Sequence, residues 1–295
     1  LAAFAAACNV ITYEFENVPS DTVAFLEALK PVRPCHEALD VAQDRLAEKR
    51  FVESLGGRPA PYRAVDSLAD LEAALADLGT PAILKTRRFG YDGKGQVRID
   101  RSADAASALA ALGGTGLILE GFVPFTAEFS VIVARALDGR EMHYPVCLNS
   151  HEGGILARTQ VPAVAIPEAD VEAATALVVR VADRLGYVGV LTCEFFATGD
   201  GPVFNEMAPR VHNSGHWTIE GARTSQFEQH IRAVCGLPLG PVDLTAARIE
   251  LRNLLGDTSA AWPDLLADPA AHLHLYGKSE AVPGRKMGHV TFLLP

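Results

Sequence analysis

The strongest constraint on this chain is one segment, CEFFATGDGPVFNEMAPRVHNSGHW, which covers residues 193–217. Two short apolar-rich runs, 193–197 and 203–207, flank Gly199-Asp200-Gly201. Apolar runs on either side of a glycine turn predict a β-hairpin. With the turn centred on Asp200, Glu194 falls opposite Glu206 and both side chains leave one face. Like charges directly opposite on a ladder destabilise it. A divalent cation between them turns that penalty into a site, and Mg²⁺ favours one or two carboxylates with substrate phosphates. Asn205 adds a neutral oxygen beside the pair. The following Arg210-Val211-His212-Asn213-Ser214-Gly215-His216 concentrates cationic and polar groups in a loop held by the hairpin, where binding chemistry tends to sit. A surface hairpin with a solvated polar loop stays open as the plainer reading of this segment alone.

Charge narrows the ligand. Lys plus Arg number 26 against 36 Asp plus Glu, a net charge of −10, which argues against a nucleic-acid partner. An anionic ligand then requires local cations. No apolar run approaches the roughly 18 residues of a membrane span. Five cysteines, with no CxxC pair and no metal spacing, suit reduced thiols in the cytoplasm. The 295 residues suffice for two or three domains. The opening LAAFAAACNVITYEFENVP reads as the inside of a domain, so an N-terminal piece is expected to precede it.

Along the chain, residues 10–15 (VITYEF) read as a strand, with Glu14 and Glu16 flanking its end. Strand ends beside loops are common ligand positions in α/β sheets, although an acidic strand terminus is the simpler account. Ser20 is expected to cap a helix reaching Leu29. Residues 36–55 read as helix, in two pieces broken near Asp44, and Arg45, Lys49 and Arg50 on it read as a solvated face. A strand at 62–65, a helix begun by a Ser67/Asp70 capping box and a strand at 82–86 follow. The next stretch, TRRFGYDGKGQ, has Gly90, Gly93 and Gly95 among Lys85, Arg87, Arg88 and Lys94. Glycines let backbone N–H groups approach an anion. No Walker A motif is present, and a flexible hairpin tip competes with phosphate binding.

A helix at 103–112 and a strand at 117–120 complete a small α/β unit. After Gly121 the pattern changes to hairpins, near 128–137 and 142–147, and a strand at 155–161. Asn149, His151 and Gly153-Gly154 lie between the last two. Pro167 opens the longest helix, to Leu185, and a Ser225/Glu228 capping box starts another, ended by Gly236. The last stretch reads as mainly β, at 247–254, 273–276 and 289–294. Lys278, Arg285 and Lys286 form a second basic cluster on its turn.

The order YEFENVP, LKTRRFGYDGKGQ, EGFVPFTAEFSV, NEMAPRVHNSGHWT and PGRKMGH resembles the 5-(carboxyamino)imidazole ribonucleotide synthetase family of ATP-grasp enzymes, over essentially the whole chain. The resemblance implies an α/β (α+β) ATP-grasp fold. Residues 1–43 would be the remainder of an N-terminal pre-ATP-grasp α/β domain. Residues 44–240 would be the ATP-grasp domain, with a small unit at about 58–120 and a large one at about 121–240. Residues 241–295 would be a small, mainly β C-terminal domain. The implied activity joins 5-aminoimidazole ribonucleotide to bicarbonate with ATP and Mg²⁺, through carboxyphosphate, in purine biosynthesis. A cytoplasmic homodimer is also implied.

By motif, Arg45 and Lys85 resemble the family's ATP-phosphate contacts, and Gly90, Tyr91, Asp92, Gly93, Lys94, Gly95 and Gln96 its mobile phosphate loop. Glu120, Gly121, Phe122 and Val123 match the segment that reads adenine. Glu128 fits the ribose contact and His151 an ATP-side contact. Glu194 and Glu206 fit the Mg²⁺ ligands, with Asn205 beside them. Arg210, His212 and Asn213 would hold bicarbonate and carboxyphosphate. Tyr91 and Asp92 would close on the aminoimidazole. Lys278, Arg285 and Lys286 resemble the 5′-phosphate site, with Glu14 and Glu16 as further ribonucleotide contacts. Another ATP-grasp ligase using an acyl phosphate, or a non-catalytic Mg-ATP-binding module, are the competing readings.

Overall fold

A computed structural model describes residues 1–90 and 93–295. The small unit holds strands β1 (Tyr62–Val65), β2 (Ala82–Thr86), β3 (Gln96–Ile99) and β4 (Leu117–Gly121). They form an antiparallel sheet in the order β1-β4-β2-β3. Helices Leu68–Leu78 and Ala105–Ala111 cover one face, burying Leu71, Leu75 and Ala108 against Leu84, Ile99 and Leu119. The capping box is formed: Asp70 N–H donates to Ser67 Oγ at 3.1 Å, and the Ser67 hydroxyl donates back to Asp70 Oδ2 at 2.8 Å.

The large sheet comprises β5 (Ala127–Arg135), β6 (Glu141–His143), β7 (Cys147–Glu152), β8 (Ile155–Val161), β9 (Gly189–Thr198), β10 (Gly201–Ala208), β11 (Arg248–Leu255), β12 (Ala271–Leu275) and β13 (Lys286–Leu294). Its order among the described residues is β10-β9-β5-β7-β8-β11-β13-β12, with β6 paired to β5. Helix Glu168–Arg184 packs Leu177, Val178 and Val181 on one face of the sheet, against Phe129, Phe195 and Phe204. Trp217 fills the other face with Tyr144, Ile249 and Leu251. The C-terminal strands do not form a separate sheet. β11 pairs β8 from Ile249↔Val161 to Arg252↔Arg158, so the large sheet runs on through the C-terminal segment.

Two expectations at the N-terminal end are corrected. Residues 10–15 do not form a strand; the backbone pairing there is a single parallel bridge, Ile11↔Val32. A β-branched run needs a neighbouring strand to become one, and the described chain supplies only Val32. Helix Ser20–Glu27 has Pro19, not Ser20, at its N-cap position, and no side chain caps it. The helix break near Asp44 is present, between His36–Gln43 and Arg45–Ser54, and the Asp44 carboxylate caps the second helix through the N–H groups of Leu46 and Ala47. Among the described residues no helix is long and apolar enough to cross a membrane.

One buried histidine ties the N-terminal segment to the large sheet. The Val190 N–H donates to His230 Nδ1 at 3.0 Å, so the neutral ring carries its proton on Nε2, which faces Thr12 Oγ1 at 2.9 Å. Burial pushes its pKa down to about 4, against about 6.5 in an unfolded chain. Above that unfolded value the ring is neutral in both states. Below it the unfolded chain takes up a proton the folded chain refuses, so stability falls as pH drops from about 6.5 towards 4. The full span corresponds to about 3 kcal/mol. Thermal melts across that window should show wild-type stability declining, with a shallower slope in His230→Gln. Parallel slopes in the two proteins would contradict this assignment.

Candidate active site

The hairpin β9–β10 turns more tightly than a turn centred on Asp200. Thr198 pairs with Gly201 across the two-residue turn Gly199-Asp200, and that register runs up to Phe204↔Phe195. Carried on unchanged, it would set Asn205 opposite Glu194. A β-bulge between Phe204 and Glu206 absorbs one residue instead, and Glu206 lands opposite Glu194. The two carboxylates therefore face each other as expected, by a different route. Bulges re-aim side chains in this way beside active sites.

The pair is electrostatically unequal. Burial and the facing Glu206 push the Glu194 carboxyl up from the usual carboxylate range. Burial also opposes ionisation of Glu206, but Arg45 and Lys85 overcome it and hold that carboxyl below the usual range. Arg45 Nη1 donates to Glu206 Oε2 at 2.9 Å. Among the described residues no cluster of three or more His, Cys, Asp or Glu forms a closed metal site. The donor set here is two opposed carboxylates with Asn205 beside them. It fits a hard cation that completes its shell with substrate oxygens and water.

On one side of the pair lies a cleft of about 240 Å³ between the two sheets. Its inner end is cationic. Glu120, 3 % exposed, accepts from Lys85 Nζ at 2.7 Å and lies 3.2 Å from Lys49 Nζ. Burial would raise the Glu120 carboxyl, but the two ammonium groups bring it to about 2. Burial also pulls the Lys85 pKa down, with Glu120 opposing it. The outer end is apolar, with Ala60, Ile83 and the stacked rings of Phe125 and Phe196, whose centroids are 4.7 Å apart. Glu128 and His151 form a close ion pair on the cleft wall. Burial alone would lower the His151 pKa, but that hydrogen bond and Glu194 raise it.

Gly121, Phe122 and Val123 line this cleft. The Gly121 N–H is engaged by Pro61 O at 2.8 Å and that of Phe122 by Pro81 O at 3.3 Å, so both donors already have partners within the protein. From the glycine loop, Gly93, Lys94 and Gln96 reach the cleft. Gly95 has φ +71 and packs so closely that a Cβ would stand 2.6 Å from Thr86 Oγ1. Only glycine suits that position. Tyr91 and Asp92 lie outside the described residues.

On the other side is a larger cavity of about 840 Å³, lined by Glu14, Glu16, Gly90, Arg210, His212, Asn213, Lys278 and Lys286 among others. Arg210 grips Glu16 through Nε at 2.8 Å and Nη2 at 2.6 Å. His212 Nδ1 lies 2.9 Å from Ser214 Oγ, and burial beside Arg210 drives its pKa well below the usual histidine value. Lys278 Nζ donates to Lys286 O at 2.7 Å. Arg285 is not among the residues lining either cavity; its guanidinium donates to Glu280 O at 3.1 Å. Arg45, Glu194 and Glu206 line both cavities.

Sequence reading missed the residues that hold this constellation. Lys49, read as part of a solvated face, is fully buried. Its signal was its place on the same helical face as Leu46 and Val52. Asn253 exchanges two amide hydrogen bonds with Asn213, at 3.0 and 2.8 Å. Gln226 takes the His212 N–H at 2.9 Å and returns a bond to its carbonyl at 2.7 Å. No local pattern marks either residue.

Residues 50–227 match the ATP-grasp domain family, residues 1–43 the ribonucleotide synthetase preATP-grasp domain, and residues 251–295 the phosphoribosylaminoimidazole carboxylase C-terminal domain. The chain is 49 % identical over 298 residues to the N5-carboxyaminoimidazole ribonucleotide synthase of Brucella melitensis, covering 100 % of this chain and 82 % of that one. It is similar to the crystal structure of the N5-carboxyaminoimidazole ribonucleotide synthetase of Thermus thermophilus, with TM-score 0.92 and 48 % identity over 99 % of this chain and 79 % of that one. The Aspergillus clavatus enzyme in complex with ADP and 5-aminoimidazole ribonucleotide gives TM-score 0.91 and 30 % identity over 99 % of this chain and 78 % of that one.

Proposed function

The chain belongs to the N5-carboxyaminoimidazole ribonucleotide synthase family of ATP-grasp ligases, and on that premise we propose how its two cavities divide the work. The reaction is the ATP-dependent carboxylation of 5-aminoimidazole ribonucleotide in purine biosynthesis. ATP takes the smaller cleft, its base in the apolar slot of Ala60, Ile83, Phe125 and Phe196 and its phosphates towards Lys85 and Arg45. Glu128, with His151, faces the ribose side. The ribonucleotide and bicarbonate take the larger cavity, the 5′-phosphate near Lys278 and Lys286 and the small anion at Arg210, His212 and Asn213. The observation that carries this assignment is that Arg45, Glu194 and Glu206 line both cavities. Phosphoryl transfer needs its donor and acceptor to meet at one charge-neutralised point.

Mg²⁺ would be held by Glu194 and Glu206, with Asn205 beside them, and would neutralise charge on the transferring phosphoryl group. The chain's own residues do the rest. Arg45 and Lys85 draw the γ-phosphate to the junction. A bicarbonate oxygen attacks its phosphorus, the bond to ADP breaks, and carboxyphosphate forms. Arg210 suits both anions, because a guanidinium pairs bidentately with a planar carboxylate. Its contact with the Glu16 carboxylate supports this reading. The exocyclic amine then attacks the carboxyl carbon, directly or after loss of CO₂ from carboxyphosphate; phosphate leaves and the amine loses a proton. The departing phosphate is the base that takes that proton; His212, kept neutral by burial beside Arg210, gives the cavity a hydrogen-bonding group rather than a further charge. The glycine loop around Gly93–Gln96 borders the ATP cleft, where closure would keep water from the acyl phosphate. The same reading takes the protein as a cytoplasmic homodimer, and its free thiols suit a reducing compartment.

Phosphate release from Mg-ATP tests the assignment. It should require both 5-aminoimidazole ribonucleotide and bicarbonate. Release that ignores the ribonucleotide, or that responds to a different amine acceptor, would overturn the placement of the larger cavity's substrate. ATP binding without release under any condition would leave a nucleotide-binding module.

A further inference from the structure

Strand β10 ends the large sheet on one side; upstream of the bulge its Phe204 N–H is taken by Arg58 O at 2.8 Å, in a parallel bridge of Pro59 with Phe204, and downstream no strand among the described residues is beside it. Helix Arg45–Ser54 stands in for one. Arg45, Glu48 and Lys49 share a face of that helix at spacings of three and four. They grip three consecutive residues of the strand. Lys49 Nζ reaches Asn205 O at 3.4 Å, Arg45 Nη1 reaches Glu206 Oε2 at 2.9 Å, and Glu48 Oε1 accepts the Met207 N–H at 2.7 Å. Those residues are the bulge and its downstream flank.

We propose that Glu48 is a positioning residue for the reaction: by accepting the Met207 amide it locks the bulge at Asn205 and so keeps the Glu206 carboxylate opposite Glu194. Glu48 is 1 % exposed, and its oxygen is the partner of the backbone amide that directly follows Glu206. Loss of the acceptor leaves that amide buried and unpaired. The bulge then loses its downstream hold, and slippage to the register set at the turn would place Asn205 opposite Glu194 and turn Glu206 to the other face. The inference rests on the reading that Glu194 and Glu206 hold Mg²⁺. It adds that their opposition is maintained from outside the hairpin.

Glu48→Leu keeps the volume and removes the acceptor, whereas Glu48→Gln keeps an acceptor without the charge. Glu48→Leu should raise the Mg²⁺ concentration for half-maximal phosphate release by about tenfold, the usual range for groups that orient a metal ligand. Glu48→Gln should restore the wild-type Mg²⁺ response. Amide hydrogen exchange gives a readout independent of metal: the Met207 amide should be as protected as those of interior strands in the wild type and in Glu48→Gln, and exposed in Glu48→Leu. An unchanged Mg²⁺ response in Glu48→Leu, with Glu194→Gln as the sensitive control, would overturn the proposal. If Glu194→Gln also leaves the Mg²⁺ response unchanged, the metal reading fails, and the exchange measurement alone decides the clamp. Should Glu48→Leu not fold, fast exchange of the Met207 amide in wild type or in Glu48→Gln would still refute it.

Discussion

Glu206→Gln should abolish phosphate release from ATP, with a loss on the order of a thousandfold, as for removal of one charge-stabilising group from a preorganised site. The substitution keeps the side chain's volume and an oxygen for Arg45, so the fold should hold and the thermal melt should stay close to wild type. What it removes is the carboxylate of the pair that Arg45 and Lys85 hold ionised against burial. The junction of the two cavities then carries an Arg45 without its carboxylate partner, while Lys85 keeps Glu120, and a Glu194 no longer pushed up by its neighbour. ATP should still bind, because its base slot and Lys85 are untouched, and calorimetric titration should show this. Retention of more than about a tenth of the wild-type rate would exclude Glu206 from charge neutralisation at the transferring phosphate.

That pair is also where the sequence was most legible, for a physical reason. A glycine turn between two apolar runs restricts the register to a few choices, and only some set like charges face to face. The centre of the turn was misjudged by half a residue, and the bulge at Asn205 compensated for it. Local chemistry was legible elsewhere too. The Ser67/Asp70 box, the Ser225 cap and the break at Asp44 depend on neighbours within four residues, and all three are formed. Strand β8 spans the residues expected, Ile155–Val161.

What was not legible depends on packing, often with partners far along the chain. Residues 10–15 have the composition of a strand but find only Val32 to pair with. The pairing of β11 with β8 joins residues nearly 90 positions apart, as in Ile249↔Val161, and nothing in either strand announces the other. Arg285 sits in the same basic motif as Lys278 and Lys286, yet it turns to Glu280 while the lysines face the cavity. A motif fixes composition at a site, but the rotation of each residue about the chain is set by packing. Asn253 and Gln226 matter through the polar atoms they satisfy on Asn213 and His212, which a sequence cannot display.

Lys49 is the sharpest case, and its replacement carries the largest expected effect on stability. Lys49→Met preserves the length of the aliphatic stem and removes the charge. Its ammonium is fully buried, 3.2 Å from Glu120 and 3.4 Å from the Asn205 carbonyl. Breaking a buried pair by removing one partner typically costs ~3–5 kcal/mol, because the other charge is left without compensation. Lys85 still holds Glu120 at 2.7 Å, so the cost should lie near the lower end, about 3 kcal/mol. The melting temperature should fall by several degrees. Adding Glu120→Gln to Lys49→Met should recover part of the loss, since the uncompensated carboxylate is then gone. Lys85→Met should behave differently: Lys85 borders the ATP cleft, so its loss should weaken ATP binding more than it lowers the melt. If Lys49→Met melts with the wild type, the buried ammonium contributes nothing net to the fold.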